Sequence, residues 1–106
     1  MCFDAPRTTD LFPPSARPRT RLAALTDEAE ARGLRAYVTS RATLRVWEPH
    51  RQHHGVDVAV RPHPDTGRLT YVALAGDVFD ADETLAPADR PGEAGQALAD
   101  RFAVRM

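Results

Sequence analysis

Three residue types are missing from this chain of 106 residues, which contains no Lys, no Asn and no Ile. The codons of these residues are rich in A and T, so their joint absence indicates a coding sequence of high GC content. All fourteen basic residues are therefore Arg, and their number reflects codon composition before it reflects phosphate binding. The core must be built from Leu, Val, Ala and a few aromatic side chains.

Cysteine is almost as scarce. Cys2 is the only one, so the chain cannot form an internal disulfide, which favours a reducing compartment. The N-terminal residues lack the basic start and the apolar run of a signal peptide, and no apolar stretch approaches membrane-spanning length. We therefore expect a cytoplasmic protein that makes no contact with a membrane.

A strong charge of either sign is also lacking. The net charge is −1 and 27% of the residues are charged, a composition typical of a folded domain and not of a disordered chain. Ten of the Arg residues lie in residues 1–61, and an acidic surplus follows in residues 62–106. Neither half is charged strongly enough to require a nucleic acid or an anionic membrane as partner.

The positions of proline, glycine and apolar residues predict an N-terminal arm followed by one domain. Residues 1–18 hold four of the nine prolines, which predicts an extended Pro-rich arm. Residues 19–106 suit a single domain. Helical spacing of apolar residues predicts a first helix over about 19–32, ended by Gly33. A second helix is expected over about 92–104, where Pro91 suits the first turn.

Between the two helices the apolar period changes from that of a helix to that of a strand. The alternation predicts four strands, over residues 34–39, 43–47, 56–61 and 69–75. Residues 77–92 are acidic and contain proline, and we interpret them as an irregular connection. Short connections favour an antiparallel meander. The predicted fold class is therefore α+β, a four-stranded antiparallel sheet flanked by an N-terminal and a C-terminal helix.

Aromatic and Arg side chains alternate along the first predicted hairpin, so several of them share the outer face of the sheet. Tyr, Trp and Arg contribute most to the energetics of protein interfaces. We predict a non-enzymatic protein-interaction or accessory regulatory protein that acts through the exposed sheet face, the N-terminal arm or both. The predicted partner is another protein or a second copy in a homodimer. The predicted binding residues are Phe12, Tyr37, Arg41, Arg45, Trp47 and Tyr71.

The same hairpin supports a second hypothesis, nucleic-acid binding. Arg35, Arg41 and Arg45 project from it, and Tyr37 and Trp47 accompany them on the outer face. Such a face can stack bases between aromatic rings and guanidinium groups. The opposing observation is that no recognised nucleic-acid-binding motif accompanies it.

The histidines support a third hypothesis, a metal-binding module. His50, His53 and His54 lie close together in what we expect to be the loop after the second strand. Imidazole nitrogens suit zinc, copper or nickel. His63 falls in the turn at the far end of the third strand, so it is not expected to join them. The opposing interpretation is a solvated loop that titrates near neutral pH.

No pattern in the chain predicts catalysis. Cys2 lies in the predicted arm, which makes it a poor nucleophile. Ser15 and Ser40 occur in no nucleophile elbow, and no Gly-rich phosphate loop follows a predicted strand. We predict no catalytic residue and no cofactor.

A resemblance to a known group rests on the end of the chain. Leu85-Ala86-Pro87-Ala88-Asp89 leads into an Ala-rich last helix. Together with the predicted order of helix, four strands and helix, this segment resembles small uncharacterised actinomycete proteins, which tend to be encoded beside DNA-binding regulators. The resemblance covers residues 20–104 and agrees with a high-GC source. The resemblance implies no activity, because the group has none assigned.

Overall fold

The computed structural model describes residues 18–76 and 78–104. It contains two helices and five strands, which follow one another in the order α1, β1 to β5, α2. Their bounds are α1 Pro18–Ala31, β1 Arg35–Val38, β2 Leu44–Glu48, β3 Arg51–Pro62, β4 Leu69–Ala73, β5 Glu83–Pro87 and α2 Pro91–Val104.

The strands form one antiparallel meander in which neighbours along the chain are neighbours in the sheet. The predicted α+β class is therefore confirmed, but the prediction of four strands was wrong. The fifth strand, β5, lies inside residues 77–92, which were interpreted as an irregular connection. Its acidic and proline residues have low strand propensity. They are tolerated because β5 is an edge strand that pairs with β4 alone.

Both helices pack against one face of the sheet, which we call the covered face. Alternate residues of β2, β3 and β4 point towards the helices and are buried, as the two-residue period requires. The apolar sides of α1 and α2 complete the same core. The fully buried core residues are Leu22, Leu25, Ala29, Leu44, Val46, Val58, Tyr71, Ala73, Phe79, Ala94 and Leu98.

Local signals in the sequence determine where the helices begin and end. Gly33 has a positive φ of 85°, and Leu34 N–H donates to the Ala29 carbonyl at 3.0 Å. This is the left-handed ending that the sequence predicts for α1. Pro91 occupies the first position of α2, where a missing N–H leaves no helical hydrogen bond unmade.

A small residue lets the two helices approach closely. A Cβ at Gly95 would lie 3.0 Å from the Glu28 Cβ. Glu28 in turn accepts a hydrogen bond from Arg32 at 2.8 Å. Gly95 therefore has a packing role. Within the described ranges, neither helix is long and apolar enough to cross a membrane.

Candidate functional site

Neither helix of the described residues packs on the second face of the sheet, which we call the open face. Strand alternation places on it the residues out of phase with the core, and the register aligns them in rows. One row contains Arg35, Trp47 and Gly55, and the next contains Tyr37, Arg45 and Asp57. The predicted outer face of the first hairpin is therefore the open face of this sheet.

Tyr37 and Trp47 form an aromatic pair on the open face. Their ring centroids are 5.5 Å apart and their planes meet at 72°, the edge-to-face arrangement that the ring quadrupoles favour. Tyr37 is 54% exposed and is the one large hydrophobic residue of the described chain that is exposed. Trp47 is half-buried. The pair thus presents a supported tyrosine ring to solvent.

Arg45 lies flat against the sheet beside this pair. A Cβ at Gly55 would come within 2.6 Å of the Arg45 guanidinium, so glycine is needed for the guanidinium to rest there. On the neighbouring position of β3, Asp57 faces Arg45 at 3.5 Å between Oδ1 and Nη1. The glycine supplies the space and the carboxylate supplies the charge that hold Arg45 in place.

The open face continues across β3 and β4 with a different character. Ala59 pairs with Val72, and Arg61 pairs with Thr70. The Arg61 guanidinium lies 3.5 Å from Asp82, and the other oxygen of Asp82 accepts a hydrogen bond from Ala75 N–H at 2.8 Å. The β3–β4 end of the open face therefore carries small side chains and an ion pair, whereas the β1–β2 end carries two aromatic rings.

Tyr71 does not belong to the predicted binding surface, and that part of the prediction was wrong. Its side chain is fully buried on the covered face. Its hydroxyl donates to the Arg21 carbonyl at 2.6 Å. Burial raises the pKa of Tyr71 from 10.0 to about 12; nearby Arg21 acts in the opposite direction, and Asp89 adds to the rise. Successive residues of a strand point to opposite faces of the sheet, and the open-face residues of β4 are Thr70 and Val72, so Tyr71 between them points to the covered face.

A shallow depression lies near Tyr71, at the start of α1. It has a volume of about 280 Å³ and is lined by Arg21, Arg68, Leu69, Pro87, Ala88 and Asp89. Arg21 donates to the Ala88 carbonyl at 2.9 Å, so this guanidinium is used to join α1 to the end of β5. The depression is therefore part of the way the helix is attached to the sheet.

The other predicted partner-binding residues have separate locations. Arg41 is exposed at the tip of the β1–β2 hairpin, where Thr39 N–H donates to the Thr43 carbonyl at 2.8 Å. Phe12 lies outside the described residues, as does most of the predicted arm. The structure therefore brings Tyr37, Arg45 and Trp47 together, with Arg41 beyond them at the hairpin end.

The histidines do not lie in a loop as expected. β3 begins at Arg51, so His53 and His54 belong to a strand and His50 to the two-residue turn before it. His50 and His54 are exposed, and the side chain of His53 is outside the described part. His63 follows the end of β3 and is nine residues beyond His54, a separation of roughly 30 Å along the strand, so it lies away from the other histidines, as predicted. Among the described side chains, no three potential ligands converge on a metal position.

Sequence reasoning missed Gly55 and Asp57 as members of the site. Asp57 lies in the strand predicted from the alternation of valines and Gly55 lies just before it, and the contribution of both depends on the register between β2 and β3. A glycine inside a strand is itself a signal of close approach by another group. That signal identifies Gly55 but cannot identify Arg45 as the group that approaches.

Comparison with protein families, with curated proteins and with solved structures finds no match to this chain. The resemblance to small actinomycete proteins therefore stays a prediction. The candidate site rests on its own geometry, namely the Tyr37–Trp47 pair and the Arg45 guanidinium held over Gly55.

Proposed function

We propose that this chain is a non-enzymatic interaction protein, and that the β1–β2 end of its open face binds a protein partner. The observation that carries the proposal is the exposed Tyr37 ring, supported edge-on by Trp47. Tyr37 and Trp47 lie in contact and Arg45 lies beside them, and a contiguous surface group of these residue types is characteristic of protein interfaces.

The arrangement around Tyr37 favours a protein partner because its side chains already contact one another before binding. Tyr, Trp and Arg are the side chains most often found as energetic anchors in interfaces. Here the Trp47 ring supports Tyr37, while Asp57 and the space over Gly55 hold Arg45. Side chains that are already ordered lose little conformational entropy on binding, so more of the contact energy remains as affinity.

The test is site-specific photocrosslinking in the cells from which the gene derives. A photoreactive phenylalanine derivative replaces Tyr37 in one variant and Ala23, which is exposed on α1, in the matched control. We expect a discrete protein adduct from position 37 that is absent from position 23. The adduct should also weaken when Arg45→Ala is added to the position 37 variant.

Two results would contradict the proposal. The first is equal labelling from positions 37 and 23, which would mean that the open face is no more engaged than the helix surface. The second is a specific adduct that is unaffected by Arg45→Ala, which would remove Arg45 from the binding site. Recovery of a second copy of this chain as the adduct would identify the partner as the protein itself.

Nucleic-acid binding is the second candidate, and the exposed Arg35 and Arg41 near Tyr37 favour it. The Arg45–Asp57 pair argues against it, because a carboxylate in the centre of the surface repels phosphate. The measurement is fluorescence anisotropy with single-stranded DNA and RNA at low salt. Binding that falls steeply with salt and is lost on Arg41→Ala with Arg45→Ala would favour this candidate over a protein partner.

A further inference from the structure

The two edge strands of the sheet differ in their availability for pairing. An edge strand presents N–H and C=O groups that can pair with another strand, and proteins usually block it with proline, charge or a bulge. β5 is blocked in this way. Its register with β4 shifts between Tyr71 and Val72, and Pro87, opposite Thr70, has no N–H. β1 is four residues long and has neither a proline nor a register shift, and its one charged side chain, Arg35, lies on the open face and not at the outer edge.

The hydrogen-bond pattern shows which groups of β1 point outwards. Thr39 N–H donates to the Thr43 carbonyl across the β1–β2 hairpin, and bonded pairs recur at every second residue of an antiparallel ladder. Tyr37 and Arg35 therefore bond to β2, opposite Arg45 and Trp47. Ala36 and Val38 direct their N–H and C=O groups away from the sheet. Within the described chain, β1 pairs with β2 alone.

We propose that two copies of this chain associate through their β1 strands, antiparallel, to form one continuous sheet. The outward groups of Ala36 and Val38 fit this arrangement when Ala36 of one copy lies opposite Val38 of the other. A twofold axis then passes beside Tyr37. Such an interface uses the same short segment on both sides, as a symmetric dimer requires.

The side chains of β1 favour a second copy as the occupant. In this register Tyr37 faces Tyr37 of the second copy in a non-hydrogen-bonded pair, where side chains lie closest. Arg35 falls opposite Thr39 of the second copy, so no like charges meet. Ala36 and Val38 are half-buried and pack against the core from the edge, and pairing covers them further.

The dimer goes beyond the proposed function and does not depend on it. It places the two open faces side by side, with both Tyr37–Trp47 pairs near the axis, and so doubles the binding surface. A partner that contacts the open-face side chains of Tyr37, Arg45 and Trp47 can still bind a monomer, because the dimer uses the outward backbone groups of Ala36 and Val38. Failure of the dimer and failure of partner binding are therefore separate results.

The experiment is sedimentation equilibrium of the full chain, with two substitutions at one position. Because the paired segment is short, we expect a weak interface, and the useful range is about 1 to 500 µM. The wild-type mass should rise with concentration from 11.7 kDa towards twice that value. Ala36→Pro removes an N–H that points outwards and makes no bond to β2, so this variant should stay at 11.7 kDa. Ala36→Ser retains the N–H and should associate as the wild type does.

A wild-type chain that stays monomeric up to about 500 µM would overturn the proposal. Association of a folded Ala36→Pro variant with wild-type affinity would also overturn it, because the interface would then lie elsewhere. If Ala36→Pro fails to fold, amide hydrogen exchange of the wild type tests the same interface without a substitution. The Ala36 and Val38 amides should exchange at least about tenfold more slowly at the highest concentration than at the lowest. Equal exchange at both concentrations would contradict the model.

Discussion

The covered and open faces of the sheet are built from the same strands, yet they differ in almost every respect. The covered face contains apolar side chains buried under two helices, and its large aromatic residue, Tyr71, is fully enclosed. The open face carries guanidinium and carboxylate groups, and of its two aromatic residues Tyr37 is exposed and Trp47 is half-buried. The comparison teaches that the strand period separates the two faces: every second residue contributes to the core, and the residues between them form the surface that we propose for binding.

The largest expected effect follows from making a cavity in the covered face. Leu98 is fully buried between α2 and the sheet. Leu98→Ala should lower the free energy of unfolding by about 2–5 kcal/mol, because the transfer energy of the side chain is lost and a cavity remains. Equilibrium denaturation in urea measures the change. Leu85→Ala, at a half-buried position of β5, is the control and should cost less than Leu98→Ala.

The second prediction concerns the ionisation of Tyr71. The folded state favours its neutral phenol, so the stabilisation is complete below pH 10 and is lost as pH rises through about 12. The loss should be on the order of 2 kcal/mol. Tyr37→Phe leaves Tyr71 as the sole tyrosine, and its phenolate absorbance should then rise near pH 12. A rise centred near pH 10 in folded protein would show that Tyr71 is not enclosed.

Gly55→Ala tests how the open face is organised. The new methyl group would occupy the position of the Arg45 guanidinium, which is flexible and can swing away. We therefore expect a change in stability below about 1 kcal/mol together with loss of the Arg45–Asp57 ion pair. Trp47 is the sole tryptophan and lies opposite Gly55, so its fluorescence should report the change.

A glycine elsewhere supplies the matched control for this prediction. Gly76 is exposed, and a Cβ there would meet no atom within 4 Å. Gly76→Ala should leave both the Trp47 emission and the crosslinked adduct unchanged. Identical behaviour of the Gly55 and Gly76 variants would mean that Arg45 is not held where the structure has it.

The outer face of the first hairpin could be predicted from the sequence, whereas its neighbours on β3 could not. Alternation along two short strands is enough to place Tyr37, Arg45 and Trp47 on one side. The contributions of Gly55 and Asp57 depend on register, which long-range pairing fixes. Tyr71 was assigned to the wrong side because an exposed and a buried tyrosine look alike in one sequence.

The predicted strand boundaries were wrong where the strand propensity of the residues disagrees with the pairing that the folded sheet imposes on them. β5 contains Glu83 and Pro87, which disfavour strands, and it forms because β4 offers a free edge. The histidines before Val56 look like a polar loop, yet β3 already begins at Arg51, where it pairs with Glu48. In both places the pairing partner decides the structure, and single-sequence patterns do not contain that information.

The last variant, Tyr37→Ser, should change stability little, and it tests most directly whether the two faces of the sheet have separate roles. Tyr37→Ser removes the exposed ring and its edge-to-face contact with Trp47 but leaves the core intact, so its free energy of unfolding should lie within about 1 kcal/mol of the wild type. Its affinity for the protein recovered by crosslinking should fall at least about tenfold, as for an interface anchor. The measurement is titration calorimetry with that partner, beside urea unfolding of the same sample. Loss of affinity at unchanged stability is the predicted result, and unchanged affinity, or destabilisation comparable to Leu98→Ala, would contradict the account.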